Sequence, residues 1–418
     1  MSKIGVLDCT LRDGGYCNEW RFGYKNIVKI IQLLSDANVD IIECGFISNK
    51  VIKDKDITRF TSIRDVEEVI PKTNSKRSYV VMMNYGDYEV EQIPEYTGIG
   101  IDGIRVAFHK KDYIEALDVC KCIREKGYKV FVQAMVALNY TDYEFLELID
   151  RVNKIEAHAF YIVDSFGKMA ENDVVRLFYL LENNLNDSII IGFHSHNNMQ
   201  LSFSNAQKLA HLQKKHKLLI DSSIYGMGRG AGNLNTELFV QYLNESFDMN
   251  YKIDPLLTVI DSILYDCYQK NPWGYSLPNY LSAIHNAHPN YAEYLDNKKT
   301  LTIKDINAIF GLMDDEKKIC FDRNYVEEIY LEYMNRIVLS HNAKNECVFL
   351  KGKKILLIAP GKSAYLERDK IIDFYIKNEV VVISINFDYR YLKTDYIFVS
   401  NTRRFEELHL EKEKYLRR

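Results

Sequence analysis

The sequence predicts an α/β protein: a (β/α)8 barrel, then a helical segment and a small Rossmann-like α/β module. Short β-branched runs alternate with amphipathic helical stretches at the spacing of a parallel sheet. Eight such units fall within about 240 residues, which is the usual size of this barrel. A doubly wound open sheet is the alternative, but it accommodates eight strands less comfortably.

The predicted barrel strands are apolar runs bounded by polar or turn residues. In chain order they span residues 4–10, 41–46, 78–83, 103–108, 129–135, 160–163, 189–193 and 218–224. Helical periodicity between them covers residues 24–37, 63–70, 112–126, 143–154, 171–185 and 201–214, with 235–247 as the closing helix.

The barrel pattern fades after about residue 280. We therefore divide the chain into a barrel at 1–280, a helical extension at 281–345 and a small Rossmann-like module at 346–418. Helices are predicted at 303–311, 324–338 and 366–378, and strands at 353–360, 380–386 and 396–399. Residues 359–363 resemble the end of a P-loop, but Leu356 stands where that motif requires glycine. ATP hydrolysis is therefore not predicted.

The charge balance argues against polyanionic partners. Lysine and arginine total 54 against 58 aspartate and glutamate, a net charge of -4, so neither nucleic acid nor an anionic membrane is expected. The sequence has no apolar signal region at its start and no stretch long enough to cross a bilayer. We expect a cytoplasmic protein that acts on small molecules.

Polar residues end the first and the seventh predicted strands. Asp13 follows the first, and His194 and His196 end the seventh. Alternate residues of a strand share a face, so the two imidazoles can bind one ion while Ser195 points away. A closed barrel places its eighth strand beside both the first and the seventh, which lets Asp13 join them. The pattern predicts a metal site, although a histidine pair alone could also be hydrogen-bonded or solvated.

Further polar residues belong to the same carboxyl-terminal mouth, where barrel enzymes keep their active sites. These residues are Arg12, Glu43, Asn84, Arg105, His109, Asp164 and Ser165. Buried charges on strands can instead be salt-bridged core residues, and this alternative stays open for Glu43 and Asp164. His109 could equally be a satisfied loop histidine.

Three segments in this order resemble the DRE-TIM (HMGL-like) metallolyases: LRDG at 11–14, HSHNN at 194–198 and GMGRGAGN at 226–233. The resemblance covers about residues 4–280. This superfamily includes 4-hydroxy-2-oxovalerate aldolase, hydroxymethylglutaryl-CoA lyase and the isopropylmalate and homocitrate synthases. The aldolase branch is closest, because residues 104–109 and 163–167 are also similar to segments of those enzymes.

The resemblance implies a divalent ion held by Asp13, His194 and His196, with Asn233 as a further ligand. Mixed oxygen and nitrogen ligands suit Mn²⁺, our first choice, or Mg²⁺, and Zn²⁺ is also compatible. The implied activity is that of a metal-dependent lyase, a class II-type aldolase. It would make or cleave a carbon–carbon bond next to a 2-oxo acid, through a pyruvate enolate stabilised by Arg12, with an aldehyde as partner.

The sequence differs from the aldolases at the residue that acts as their general base. In those enzymes this residue is a histidine three positions after the ligand aspartate, whereas Tyr16 occupies that position here. A phenol has an ordinary pKa near 10, so the base is left open between Tyr16, Glu43, His109 and a metal-bound water. Expected substrate contacts are Asn84, Arg105 and Ser165, and also Tyr275, because residues 273–276 are similar to a segment lining the aldolase pocket.

Two alternatives remain at this point. A Claisen-type acyl-CoA lyase or synthase is favoured by Asn233, but no basic CoA groove is evident. A barrel that has lost catalysis and serves as a scaffold is the other, and the presence of Arg12, Asp13 and both histidines argues against it. We also expect a homodimer or larger homo-oligomer and leave a partner enzyme open.

Overall fold

Eight parallel strands close into a barrel because the first strand pairs with both the last and the second. The structure is a computed structural model that describes residues 4–71, 77–212, 215–338, 350–401, 403–405 and 408. The barrel strands are β1 Ile4–Asp8, β2 Ile41–Ile47, β4 Ser78–Asn84, β5 Gly103–Phe108, β6 Lys129–Ala134, β7 Ala159–Asp164, β8 Ile190–Ser195 and β9 Leu218–Ser222. The predicted (β/α)8 barrel is confirmed.

A ninth short strand, β3 Arg59–Phe60, was not predicted. It pairs in parallel with the end of β2 at Phe46 and Ile47. The Phe46 N–H donates to the Thr58 carbonyl at 2.9 Å. A strand of two residues is too short to show alternating apolar and polar positions, so hydrophobic periodicity could not reveal it.

The helices of the barrel unit occupy the predicted intervals to within a few residues. They are α1 Tyr24–Asp36, α2 Ile63–Glu67, α3 Tyr113–Glu125, α4 Asp142–Ile155, α5 Glu171–Asn184, α6 Ser202–His211 and α7 Thr236–Phe247. Three more helices lacked a sequence prediction: α8 Asp254–Val259, α9 Tyr265–Lys270 and α10 Leu277–Ile284. A π-helical turn, Ile260–Leu264, joins α8 to α9.

Side-chain alternation along the strands separates two apolar layers. On β6, Val130 and Val132 pack outward against the helices, whereas Phe131 lies in the barrel interior with Leu7 and Tyr161. Inward residues near the carboxyl ends of the strands therefore face the mouth of the barrel, where the predicted site residues lie.

The chain forms two compact units, Met1–Ile284 and His285–Arg418. The second unit begins with α11 Pro289–Asn297, α12 Ile303–Leu312, α13 Asp315–Lys318 and α14 Arg323–Val338. It continues with β10 Ile355–Ile358, α15 Lys362–Leu366, α16 Arg368–Lys377, β11 Val381–Ile385 and β12 Tyr396–Phe398. The three strands form a parallel sheet in the order β10-β11-β12. The predicted boundary between residues 345 and 346 lies outside the described residues. No described helix combines the length and the apolar character that a membrane span requires.

Candidate metal centre

Asp13, His194 and His196 converge at the mouth of the barrel. All three are buried, and one donor atom from each lies within 4.8 Å of the others. Asp13 lies in the turn after β1, His194 is on β8, and His196 directly follows that strand. The two imidazole rings are 5.3 Å apart between centroids and nearly perpendicular. One carboxylate and two imidazoles at this spacing can hold a divalent ion.

Asp221 orients the first of these imidazoles. His194 Nδ1 lies 2.9 Å from Asp221 Oδ2, so the ring donates its Nδ1 proton to the carboxylate and keeps Nε2 as a metal donor. Asp221 is on β9, which lies between β1, the strand that precedes Asp13, and β8, the strand that carries His194. No sequence motif identified this residue. Its signal in the sequence was a single carboxylate directly after the apolar run 218–220.

The charge states of Asp13 and His196 suit a cation. Burial alone would raise the pKa of Asp13, but the groups around it, Arg12 first and then the two histidines, together outweigh burial and hold the pKa well below its ordinary value. Burial lowers the pKa of His196 to about 3, so the ring is neutral near pH 7. Among the described residues, His196 Nδ1 has no hydrogen-bond partner, and Asp13 Oδ2 lies 3.7 Å from it.

Asn233 completes the group. Its Nδ2 donates to Asp13 Oδ2 at 2.6 Å and to the Met227 carbonyl at 3.2 Å. Its Oδ1 is buried and accepts no hydrogen bond from the part of the chain that the structure describes. A buried, unpaired acceptor costs free energy, and an ion at this point would remove that cost. These donors fit a divalent metal.

The glycine loop at 226–232 approaches the centre closely. A Cβ atom at Gly228 would lie 2.3 Å from Asn233 Nδ2 and 2.8 Å from Asp13 Oδ2. The loop is fixed to the segment after β8, since the Asn197 N–H donates to the Gly232 carbonyl at 2.9 Å. The glycine therefore serves a close approach of backbone to the ligand group rather than binding a phosphate.

Alanine at Gly228 should weaken metal binding about tenfold while the barrel stays folded. The added methyl group must displace Asn233 or Asp13, because both lie inside contact distance. Calorimetric titration with Mn²⁺ measures the affinity, and circular dichroism checks the fold. Gly311→Ala is the matched control, since nothing lies within 4 Å of a Cβ there. Equal Mn²⁺ affinity in both variants would contradict this role.

Arg12 and Arg105 connect the centre to the barrel interior. Arg12 Nη1 donates to Asp13 Oδ1 at 2.6 Å, and its Nε donates to Glu43 Oε2 at 2.9 Å. Arg105 Nη1 is ion-paired with the same Glu43 oxygen at 2.8 Å, and its Nη2 donates to Asp221. Arg105 is fully buried. Glu43 and Asp221 therefore connect Arg12 and His194, at the mouth of the barrel, to Arg105 in its core.

The remaining predicted residues are placed as follows. Asn84 is half-buried and donates to Asp87 Oδ2 at 2.9 Å. Ser165 Oγ accepts the Val136 N–H at 2.8 Å, and Val136 has a positive φ of 54°. Tyr275 is 56% exposed. Their substrate contacts stay predictions.

Asp164 and His109 differ in environment. Asp164 accepts the backbone N–H groups of Lys168 and Met169, at 3.0 and 2.9 Å, which organises the loop after β7. Burial raises its pKa to about 6 despite these hydrogen bonds. His109, half-buried after β5, has a pKa lowered chiefly by burial. Its imidazole is therefore in the basic form near pH 7.

An apolar patch, here called the mouth cluster, lies beside the polar centre. It consists of Tyr16, Trp20, Phe46, Met82, Ala107 and Met135. The Tyr16 and Trp20 rings are 4.6 Å apart, and the Arg12 guanidinium lies 5.8 Å from the Phe46 ring. The mouth thus has a metal-binding side and an apolar side.

Comparison with known proteins agrees with this geometry. Residues 104–262 match the HMGL-like family model. The chain is 28% identical over 244 residues to 4-hydroxy-2-oxovalerate aldolase from Geobacillus genomosp. 3, covering 58% of this chain and 70% of the relative. The crystal structure of the N-terminal domain of a proposed aldolase from Bacteroides vulgatus is 26% identical, with a TM-score of 0.62, and covers 74% of this chain and 100% of that one.

A more distant structure shares the fold. The carboxyl transferase domain of Rhizobium etli pyruvate carboxylase, solved with pyruvate and biocytin, is 16% identical with a TM-score of 0.60. The match covers 84% of this chain and 65% of that one. The resemblance to the metallolyase superfamily, closest to its aldolase branch, is confirmed.

Proposed function

Since the barrel contains an HMGL-like domain, we propose that this chain is a divalent-metal-dependent aldolase. It makes or cleaves the carbon–carbon bond next to a 2-oxo acid, with pyruvate as the enolate donor and an aldehyde as partner. The observation that carries this proposal is the convergence of Asp13, His194 and His196 beside the Arg12 guanidinium. The curated relatives named 4-hydroxy-2-oxovalerate aldolase support the same reaction.

The donor set favours Mn²⁺. Asp13, the two histidines and Asn233 offer oxygen and nitrogen without thiolate, which suits Mn²⁺ or Mg²⁺ better than a structural zinc site. When bound, the ion supplies Lewis-acid polarisation of the keto oxygen of the 2-oxo acid. Asp221 contributes by holding the His194 ring in the ligating tautomer.

Arg12 is placed to stabilise the enolate. Two of its nitrogens are fixed by Asp13 and Glu43, which sets the plane of the guanidinium. Its third nitrogen, Nη2, is buried and lacks a partner among the residues that the structure describes. A preoriented, permanently charged donor can meet the oxygen on which negative charge develops as the pyruvate methyl group loses its proton. The enolate carbon then attacks the aldehyde carbon, the keto group of the 2-oxo acid re-forms, and the aldehyde oxygen takes up the proton that the base removed.

The three side-chain candidates for the base differ in their surroundings. Glu43 is fully buried, and its Oε2 pairs with both Arg12 and Arg105, while its Oε1 has no partner among the described residues. The Tyr16 ring lies between Trp20 and the Arg229 guanidinium, 3.8 Å from the latter. His109 is in its basic form near neutral pH, because burial lowers its pKa. We therefore propose His109 as the proton acceptor and Tyr16 as a group that orients the substrate.

The rate should fall at low pH as His109 becomes protonated. Its pKa in the free protein lies below the ordinary 6.5, so the unprotonated, active form persists to lower pH and the acid limb of the kcat/KM profile should lie below pH 6.5. His109→Gln should remove that limb and lower kcat about 10² to 10⁴-fold. Tyr16→Phe should keep the limb. An unchanged limb in His109→Gln would assign the base elsewhere.

Proton exchange tests the function without knowledge of the aldehyde. In D₂O, the Mn²⁺-loaded protein should exchange the methyl protons of pyruvate, as followed by proton NMR, and protein treated with EDTA should not. Absence of exchange with metal bound would reject the pyruvate aldolase. It would favour the second candidate, a Claisen-type acyl-CoA lyase or synthase, for which the unpaired Asn233 Oδ1 is the supporting observation. Failure to bind metal would favour a non-catalytic scaffold.

A further inference from the structure

We propose that Trp20 is a positioning residue of this site, because its indole N–H holds the peptide group that joins Arg12 to Asp13. The inference rests on the proposed aldolase function, in which Arg12 stabilises the enolate and Asp13 binds the ion. Trp20 lies outside all three family motifs and belongs to the apolar side of the mouth. Its role follows from its contacts with the turn after β1.

The hydrogen bond of Trp20 acts on both functional residues of this turn at once. Its Nε1 donates to the Arg12 carbonyl at 2.8 Å. That carbonyl belongs to the planar peptide group between Arg12 and Asp13, so the bond restrains the ψ angle of the arginine and the φ angle of the aspartate. The N–H groups of the same two residues donate to the Cys9 carbonyl, at 3.0 and 2.8 Å. Trp20 thus completes the hydrogen bonding of the Arg12 backbone.

Thr58 ties Trp20 to the same turn through the backbone. The Thr58 N–H donates to the Trp20 carbonyl at 3.0 Å, and the Thr58 hydroxyl donates to the Leu11 carbonyl at 2.6 Å. Thr58 is fully buried, and its own carbonyl accepts the Phe46 N–H at 2.9 Å. The position of Trp20 relative to the turn is therefore fixed through β2 as well as by side-chain packing.

The backbone adopts an unfavourable conformation where it presents the indole ring. Glu19 and Trp20 are consecutive non-glycine residues with φ angles of 55° and 59°, in the left-handed region. This conformation costs free energy for L-residues, and it persists where the surroundings hold it, often at functional sites. Here the Trp20 N–H donates to the Gly15 carbonyl at 2.8 Å. A Cβ atom at Gly15 would overlap the indole ring, so the close approach requires glycine.

Three side chains hold the indole ring of Trp20 in place. The Tyr16 and Phe46 rings lie edge-on to it, at 4.6 and 6.0 Å between centroids, and the Arg59 guanidinium carbon lies 4.9 Å from its centroid. Phe46 also lies 5.8 Å from the guanidinium carbon of Arg12. Because these contacts fix the ring, its N–H stays directed at the Arg12 carbonyl. The nitrogen can therefore be replaced in an experiment while the packing is kept.

Loss of this hydrogen bond should affect the transition state more than the binding of pyruvate. In the proposed reaction, Arg12 Nη2 meets negative charge only as the methyl group loses its proton. A displacement of about 1 Å in a site of this kind can cost about 10²-fold in rate. An interaction that is made only in the transition state lowers kcat and kcat/KM equally and leaves KM nearly unchanged. A purely structural role would lower the amount of folded protein without this pattern.

Replacement of Trp20 by 3-benzothienylalanine tests the inference, because sulfur takes the place of the N–H while the ring keeps its shape. At saturating Mn²⁺ in D₂O, kcat for exchange of the pyruvate methyl protons should fall about 10- to 100-fold, while KM changes by less than about threefold. 5-Fluorotryptophan at the same position keeps the N–H and should keep kcat. Circular dichroism and Mn²⁺ content check that each variant is folded and loaded.

Tyr291→Phe is the matched control. The Tyr291 hydroxyl lies 2.8 Å from the backbone carbonyls of both Lys317 and Cys320, in the second unit. This variant loses a side-chain donor to the backbone, as the Trp20 variant does, and it should keep kcat. A benzothienylalanine variant that keeps kcat, or an equal loss in Tyr291→Phe, would overturn the assignment. So would a loss that appears only in KM.

A spectroscopic measurement separates this inference from the proposed function. It uses protein labelled with nitrogen-15 arginine and loaded with diamagnetic Mg²⁺. The Arg12 Nε–H, identified by its absence in Arg12→Lys, donates to Glu43 and should exchange slowly with solvent. In the benzothienylalanine variant its signal should shift and its exchange should become about tenfold faster or more.

The two readouts together decide the positioning role. If the wild type exchanges no pyruvate protons, the proposed function fails, but faster exchange of the Arg12 Nε–H in the benzothienylalanine variant still supports the role of Trp20. An unchanged Arg12 signal rejects that role, also when kcat is lowered.

Discussion

Alanine in place of His196 should abolish the Mn²⁺-dependent exchange of pyruvate methyl protons. The variant loses one of three converging donors, and the buried carboxylate of Asp13 keeps His194 and Asn233 as partners for the ion. Changes to groups around metal ligands already cost 10 to 100-fold in affinity, so loss of a ligand should cost about 10²-fold or more. Bound Mn²⁺ after dialysis, measured by atomic emission, and proton NMR in D₂O are the two readouts.

The neighbouring serine provides the control for that experiment. Ser195 precedes His196, is equally buried, and its hydroxyl lacks a hydrogen-bond partner within the described ranges. Its side chain points to the opposite face of the strand. Ser195→Ala should therefore retain the metal and the exchange. Exchange that persists in His196→Ala, with full Mn²⁺ content, would remove His196 from the ligand group.

Methionine in place of Arg105 should lower the free energy of unfolding of the barrel by about 3–5 kcal/mol. Arg105 is fully buried and pairs with both Glu43 and Asp221, while its guanidinium lies 4.9 Å from the Tyr161 ring. Burial opposes its charge, but the two carboxylates outweigh burial and raise its pKa above the ordinary value. Without it, Glu43 keeps Arg12 and Asp221 keeps the His194 ring, but each loses one buried charged partner, and methionine offers no hydrogen bond in return.

Tryptophan fluorescence during urea unfolding measures this effect. The chain has two tryptophans, Trp20 and Trp273, and both belong to the barrel unit. Arg151→Met is a control, since Arg151 forms an exposed ion pair with Glu147 on α4 and should change the transition little. A decrease below about 1 kcal/mol for Arg105→Met would show that the interior tolerates the two carboxylates, against this expectation.

The barrel could be predicted from the sequence because the pattern that indicates each strand is local. Each strand is a contiguous apolar run, and alternation gives the inward face, so His194 and His196 could be assigned to one face. The unpredicted parts lack such signals. Strand β3 has two residues, and the segment from α8 to α10 folds around a π-helical turn that breaks the helical period.

The partners of the site residues depend on contacts distant in sequence. Asp221 lies 27 residues from His194 and 116 from Arg105, so no motif joins them. The contact of Ser165 with substrate stays a prediction. Its hydroxyl also accepts the backbone N–H of Val136, whose left-handed conformation the sequence does not reveal. Residue type and strand position located the mouth, but they could not assign which polar groups serve the ligand and which serve the loops.

Glu43 and Asp221 each pair with two residues of the barrel. For this reason, the residues at the mouth differ in how well their presence in a homologue indicates activity. Glu43 joins Arg12 to Arg105, and Asp221 joins Arg105 to His194, so these charges hold the interior of such a barrel together whether or not it catalyses a reaction. In a homologue of unknown activity, their presence would report an intact interior. His196 Nδ1 and Asn233 Oδ1 are buried and have no hydrogen-bond partner among the described residues. The fold therefore gains no stability from these two atoms. Their presence is what would distinguish a working enzyme from an inherited scaffold.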